Sequence, residues 1–332
     1  MPAGLVNTRP ALSTPPEPEK TARRLPGRAV RWSRATTAAG WLRRPEAGTV
    51  FGIQILEWIA RLGGRRVLHL ALWPVALYFI ALRHAERRAS RRFLSRVLQR
   101  PASFGEVFRH FLTFSRMSAD RMCFLTGTRG SIPVRFHDLE PLRRLVDRGR
   151  GGVFLGSHMG SFEAARTVVA RHPDIGMRMI LDRAVNRRLM QRLEAASPEF
   201  AESIIDAGGS AADFALRVGE ALRQGEWIGF LADRYRPGDR VTTCEFLGEP
   251  ARFPLGPFLV AATFELPVVC LFPLYVRGCY EVHFEILTES LSVPREQRHE
   301  QLQSLVQAYA DRLTFYARRE PYNWFNFYDF WA

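Results

Sequence analysis

The chain has 332 residues, 47 basic and 33 acidic, for a net charge of +14. That length suffices for one large domain or two small ones with a sizeable core. The positive excess favours anionic partners, a membrane surface or an acidic carrier protein; nucleic acid is set aside because the basic residues are spread out and no base-reading motif occurs.

Residues 1–48 read as a disordered, basic, Pro-rich tail. Pro2, Pro10, Pro15, Pro16, Pro18, Pro26 and Pro45 interrupt any period, and no compact apolar stretch marks a secretory signal. Residues 49–100 read as an apolar, membrane-associated helical segment. Its stretch 67–82 carries no full charge and would make a helix about 24 Å long, short of a bilayer core of about 30 Å. Arginines flank it on both sides, and Trp58, Trp73 and Tyr78 suit an interface, so it lies in or dips into one leaflet. A buried core helix is the alternative.

The catalytic domain is expected over 101–332. Phe104, Phe108, Phe111 and Phe114 recur every three or four residues and predict a helix over 102–124. A strand over 133–138 and a short helix over 139–148 follow. Strands at 153–155, 177–181, 203–205 and 227–232 then alternate with helices from 162, over 186–196 and over 210–223. Strands at 268–276 and 280–286 form a hairpin across Arg277-Gly-Cys, and a last helix covers 298–318. The alternation predicts an α/β domain with a largely parallel sheet, whose sites lie beyond the strands' carboxyl ends. The four cysteines Cys123, Cys244, Cys270 and Cys279 lack C-x-x-C or zinc-finger spacing and read as buried free thiols.

The run Gly151-Gly-Val-Phe-Leu-Gly-Ser-His158-Met-Gly-Ser-Phe-Glu163 carries the chemistry. It reads as a buried strand, a Gly-rich turn and a helix capped by Ser161. His158 can act as a general base at the strand's end, with the Glu163 carboxylate to orient it. The alternatives are an ordinary loop histidine and an acid that only serves the helix dipole. Asp233 and Arg234 also end a strand and can face the same crevice, where an arginine can hold a phosphate or an oxyanion. The alternative there is a solvated loop with a local ion pair. Phe246, Gly248 and Phe253 lie in an apolar, turn-rich approach to a helix, either one wall of a tunnel for a hydrocarbon chain or a loop folded over the core.

Other chemistries fail on detail. Gly156-Ser157-His158-Met159-Gly160 puts the serine one position early for a G-x-S-x-G elbow. His299-Glu300 lacks the second histidine of a zincin helix, and there is no P-loop or dinucleotide fingerprint. No metal site is expected.

In order along the chain, His158-x4-Glu163, the Asp233 block and Phe246-Leu-Gly…Ala-Arg-Phe-Pro…Gly256 resemble the bacterial lysophospholipid and lipid A late acyltransferases over roughly residues 50–332. The ending Pro321-Tyr-Asn-Trp-Phe-Asn-Phe-Tyr-Asp-Phe-Trp331 resembles a subgroup found with aryl-polyene biosynthesis. The resemblance implies a glycerolipid-acyltransferase-like α/β fold at the cytoplasmic face of the inner membrane. It implies an acyl thioester on acyl carrier protein or coenzyme A, a lipid or glycolipid acceptor, and no cofactor. His158 would be the base and Glu163 its partner. Gly160, Ser161, Arg183, Asp233, Arg234, Phe246, Gly248 and Phe253 would bind substrate, with backbone N–H groups near Gly160 stabilising the oxyanion. Lipid A enzymes carry an Arg-Pro pair after the second strand; here the region reads Arg178-Met-Ile-Leu-Asp-Arg183. A non-catalytic scaffold of the same fold is the second expectation.

Overall fold

The computed structural model describes residues 50–126, 132–172, 174–183, 190–191, 194–195, 197–294 and 296–331. The tail expected over 1–48 lies outside them, as does most of the helix expected over 186–196.

Three helices precede the first strand: α1 (Val50–Leu82), α2 (His84–Val97) and α3 (Phe104–Thr126). α1 bends at Gly64, whose φ of 70° is open to glycine at little cost, and continues through Pro74. Leu68, Leu72, Ala76 and Ile80 are buried at a spacing of four, one stripe of a helix. Val67, Leu70, Trp73, Leu77 and Tyr78 remain exposed on the rest of its surface. α3 starts at a capping box. Ser103 N–H donates to Glu106 Oε2 (2.8 Å), and Glu106 N–H donates to Ser103 Oγ (3.3 Å).

The α/β part then runs β1 (Val134–His137), α4 (Leu139–Val146), β2 (Gly152–Gly156), α5 (Phe162–Arg171), β3 (Met177–Leu181), α6 (Pro198–Glu202), β4 (Ile204–Asp206), α7 (Ala211–Arg223) and β5 (Trp227–Leu231). There follow β6 (Val241–Phe246), β7 (Glu249–Pro254), α8 (Gly256–Thr263), β8 (Val268–Val276), β9 (Cys279–Thr288) and α9 (Arg298–Arg319). The main sheet has the order β1-β9-β8-β2-β5-β3-β4. Every neighbouring pair is parallel except the β8–β9 hairpin, so the sheet is mixed and largely parallel, an α/β fold as expected.

β2 lies at the centre with all five residues buried, the reason it reads as an unbroken apolar run. Leu72, Ala76 and Ile80 of α1 and Phe93 and Leu94 of α2 share one core with β2, β8 and α9. Four elements were not foreseen: α2, the short α6, β6 and β7. α2 places Ala89, Phe93, Leu94 and Val97 on one buried side between exposed arginines. β6 and β7 form a separate antiparallel hairpin, turned by Leu247 (φ 52°) and Gly248 (φ 85°).

Candidate active site

Strand register makes the site. β2 and β5 are parallel neighbours, with Gly156 opposite Leu231. His158 lies two residues beyond Gly156 and Asp233 two beyond Leu231, so both emerge at the carboxyl edge of the sheet, side by side. His158 Nδ1 is 2.8 Å from Asp233 Oδ1, and His158 N–H donates to Asp233 Oδ2 (3.0 Å). A buried carboxylate accepts, so Nδ1 carries the proton and Nε2 keeps its lone pair. Asp233 is fully buried, while the His158 side chain is 28% exposed.

Burial and the nearby Arg234 charge pull the His158 pKa below its ordinary value, against the opposing pull of Asp233. The ring is therefore neutral near pH 7, as a base must be. Burial alone would raise the pKa of Asp233. The charge and hydrogen bond of His158, Arg234 and the His158 N–H outweigh it and hold the carboxyl well below the usual range.

Two more donors reach Asp233 Oδ2 from the C-terminal segment: Trp324 Nε1–H and Asn326 Nδ2–H, each at 2.9 Å. Sequence reasoning quoted both residues only as part of a subgroup ending. A signal was available. An indole N–H and an amide inside a strongly apolar run must find partners when buried, and both are buried.

Several expected site residues have other partners than expected. The carboxylate found on His158 Nδ1 is that of Asp233, not Glu163. Glu163 leaves on the first turn of α5, is buried, and pairs with Arg121 Nε of α3 at 2.5 Å. Asp233, expected to bind substrate, stands behind the histidine instead. Gly160 is needed for space and conformation: φ is 69°, and a Cβ there would sit 1.5 Å from the Pro273 carbonyl oxygen. Its N–H donates to the Asn323 carbonyl (2.9 Å) and that of Ser161 to the Pro273 carbonyl (3.1 Å), so neither is left for an oxyanion. Ser161 Oγ caps α5 by accepting from Ala164 N–H (3.3 Å) and donates to Glu163 Oε2 (3.2 Å).

The expected arginines are engaged in structure. Arg183 pairs with Glu194 (2.9 Å) and donates to the Ala201 carbonyl (3.0 Å). Arg234 donates to Asn326 Oδ1 (2.6 Å) and to the Phe325 carbonyl (3.0 Å). Arg121, not foreseen, is a third exposed and near enough to His158 for its charge to act on the ring. Phe246 and Phe253 are wholly buried against Trp324, Phe330 and Tyr309, a filled aromatic core in place of a tunnel wall. Gly248 serves the β6–β7 turn.

Among the described residues His137, Glu281 and His283 bring metal-ligating atoms within 4.8 Å of one another. The two rings stack at 4.4 Å and 10°, so their nitrogen lone pairs run along nearly parallel planes and do not converge on one ion. Arg319 also lies 3.4 Å from Glu281. The group does not fit a metal site as it stands.

No curated protein matches the chain at a significant level. The family described as bacterial lipid A biosynthesis acyltransferase matches residues 43–331, a span that contains all of the described residues. The match is to the family as a whole and does not reach the subgroup expected from the C-terminal ending. With an α/β sheet that brings a histidine and an acid together at its carboxyl edge, the chain belongs to the bacterial lipid A biosynthesis acyltransferase family.

Proposed function

We propose that the protein is an O-acyltransferase that moves a fatty acyl chain from a thioester, on acyl carrier protein or coenzyme A, to a hydroxyl of a lipid or glycolipid. The family membership supports acyl transfer to a lipid. The observation that carries the site assignment is the His158–Asp233 pair, with Nδ1 engaged and Nε2 left with its lone pair.

Nε2 takes the proton of the acceptor hydroxyl as its oxygen attacks the thioester carbonyl. A C–O bond forms and the carbonyl electrons move to an oxyanion. When the oxyanion collapses, the C–S bond breaks and the imidazolium returns its proton to the leaving thiolate. Asp233 orients the ring and stabilises its transient charge. The reaction needs no cofactor, because the thioester brings its own activated carbonyl. Arg121 is the group assigned to the oxyanion, and Glu163 holds that guanidinium in place through their ion pair.

The helix Gly63–Leu82 has 20 residues and is apolar enough to cross a membrane by length and composition. Its stripe Leu68, Leu72, Ala76 and Ile80 packs on the protein, which favours a helix lying against one leaflet by its exposed face. Arginines at both ends of that stretch suit anionic headgroups. These features support a membrane-bound enzyme, and the family resemblance implies the cytoplasmic face of the inner membrane as its place of work. Purified protein in vesicles, given acyl thioester and a lipid extract, tests the proposal. Thiol release with a new acylated lipid by mass, lost in His158→Ala, is expected; release unchanged in that variant sinks it.

A further inference from the structure

The Oδ2 atom of Asp233 receives three hydrogen bonds, from His158 N–H (3.0 Å), Trp324 Nε1–H (2.9 Å) and Asn326 Nδ2–H (2.9 Å). Two come from one short segment more than ninety positions away in sequence. That segment is itself stitched to the histidine turn. Met159 and Trp324 form an antiparallel bridge, Phe325 N–H donates to the His158 carbonyl (2.7 Å), and Gly160 N–H donates to the Asn323 carbonyl (2.9 Å). The Asn323 side chain joins both polar groups of the Tyr275 backbone, accepting at 2.6 Å and donating at 3.2 Å. Residues 323–326 thus run antiparallel alongside residues 158–160, joined by one bridge. Asn323, Trp324 and Asn326 are almost wholly buried.

A second layer stands behind Trp324. The fully buried His110 has Nε2 at 2.9 Å from the Trp324 carbonyl, which can only accept, so Nε2 carries the proton. His110 Nδ1 then accepts from the Ser90 hydroxyl at 2.8 Å. Ser90 belongs to α2 and His110 to α3, so the hydrogen-bonded chain runs from the N-terminal helices to the carboxylate.

We infer that residues 323–326 are a clasp that positions the His158–Asp233 pair, with Trp324 and Asn326 fixing the carboxylate and His110 and Ser90 fixing Trp324. A carboxylate held at one oxygen can rotate about its own bond and exchange which oxygen meets the imidazole. Donors on Oδ2 remove that freedom and leave Oδ1 committed to Nδ1–H. Both side-chain donors are neutral, so they share the carboxylate's charge without adding a cation beside a ring that must later become one. The residues touch neither reacting atom and are positioning residues. Their effect on turnover rests on the acyltransferase reading; their effect on the histidine does not.

The test uses full-length Trp324→Phe, which keeps an aromatic ring among Phe93, Phe246 and Phe330 while removing the N–H along with part of the indole. Asn326→Ala is the second variant. In histidine-labelled protein, nitrogen NMR reads the His158 tautomer and its titration. The wild type should show one Nδ1–H form, and each folded variant a mixture of tautomers with a shifted titration. Transfer should lose about tenfold to a hundredfold in kcat, while KM for the thioester stays within about twofold. In an Asp233→Asn background, adding Trp324→Phe should cost nothing further. A single Nδ1–H form and an unmoved titration in a folded variant overturn the clasp, as does a full extra loss in the double variant. Should Trp324→Phe not fold, Asn326→Ala decides alone by the same readouts. Wild-type protein that transfers no acyl group, yet shows the tautomer change, keeps the clasp and sinks the acyltransferase reading.

Discussion

Asp120 and Asp233 are both fully buried, and each faces a histidine, yet the two regions are built for different ends. Asp120 Oδ1 accepts from Arg65 Nε (2.8 Å) and lies 2.9 Å from His69 Nε2; its Oδ2 accepts from Arg65 Nη2 (2.7 Å) and Tyr280 Oη (2.9 Å). Arg65 also donates to the Gly278 carbonyl (2.9 Å). Those bonds fasten the start of the apolar half of α1 to α3 and to the β8–β9 hairpin. Burial opposes the charge on Asp120, but the bonds from Arg65 and His69 more than offset it and keep its pKa low.

Asp233 meets neutral donors from Trp324, Asn326 and the His158 backbone, and its histidine remains more open, at 28% against 13% for His69. A carboxylate gripped by a guanidinium fork is a fastener, because the cation is permanent. One satisfied by neutral donors can answer a charge that comes and goes on its imidazole. The contrast also explains His69, which stands in an apolar stretch because its ring is spent on Asp120.

The sharpest way to break the comparison is at the reacting histidine. His158→Ala should cost roughly 10⁴-fold in kcat, measured with saturating thioester, with the melting temperature unchanged. Asp233→Asn should cost roughly 10³-fold, because an amide can donate to Nδ1 and reverse the tautomer. Asp120→Ala should behave in the opposite manner. Its unfolding free energy in a denaturant titration should fall by about 3 kcal/mol, since Arg65, His69 and Tyr280 lose their common acceptor. Turnover at a temperature where it stays folded should persist. If Asp120→Ala kills turnover in folded protein, the division between fastener and working pair is wrong.

Smaller effects sharpen the picture. Glu163→Gln should lower kcat about tenfold, by freeing Arg121. The rate should be flat near neutrality and fall on acidification below His158's lowered pKa, itself under the ordinary 6.5. Stability carries its own acid dependence. Burial pushes the His110 pKa down to about 4 from 6.5, against the pull of the Trp324 carbonyl. A depressed histidine stabilises the fold above pH 6.5, and that stability is lost as pH falls from 6.5 toward 4, on the order of 3 kcal/mol in all. Denaturant melts across that window should show a shallower slope in His110→Gln; an identical slope would assign the acid lability elsewhere.

Much of the fold was legible along the chain. The strands at 177–181 and 268–276 run where their apolar residues place them, and Ser161 and Ser210 cap the helices that follow them. The β6–β7 hairpin was legible too, since Val241–Phe246 alternates buried and exposed residues up to a Leu-Gly turn, but its phenylalanines fit a tunnel wall and a loop over the core equally well. Of the site, His158 and Asp233 could be placed at strand ends. Their partnership could not, because β3 and β4 separate β2 from β5 in sequence yet lie on the far side of β5 in the sheet. Glu163 looked like the partner because it is near in sequence. Five residues and a helix start turn it toward α3 instead.

The sequence by itself determined the local pieces: which runs are strands, where helices are capped, and that a histidine and an acid end two strands. Those follow from periodicity and capping, which act over a few residues. The tertiary structure decided which acid meets the histidine and what holds that acid. Strand order and register set the Gly156–Leu231 pairing, and the same packing carries Trp324 and Asn326 across more than ninety residues to Asp233. Those contacts arise from global burial, which no local pattern encodes.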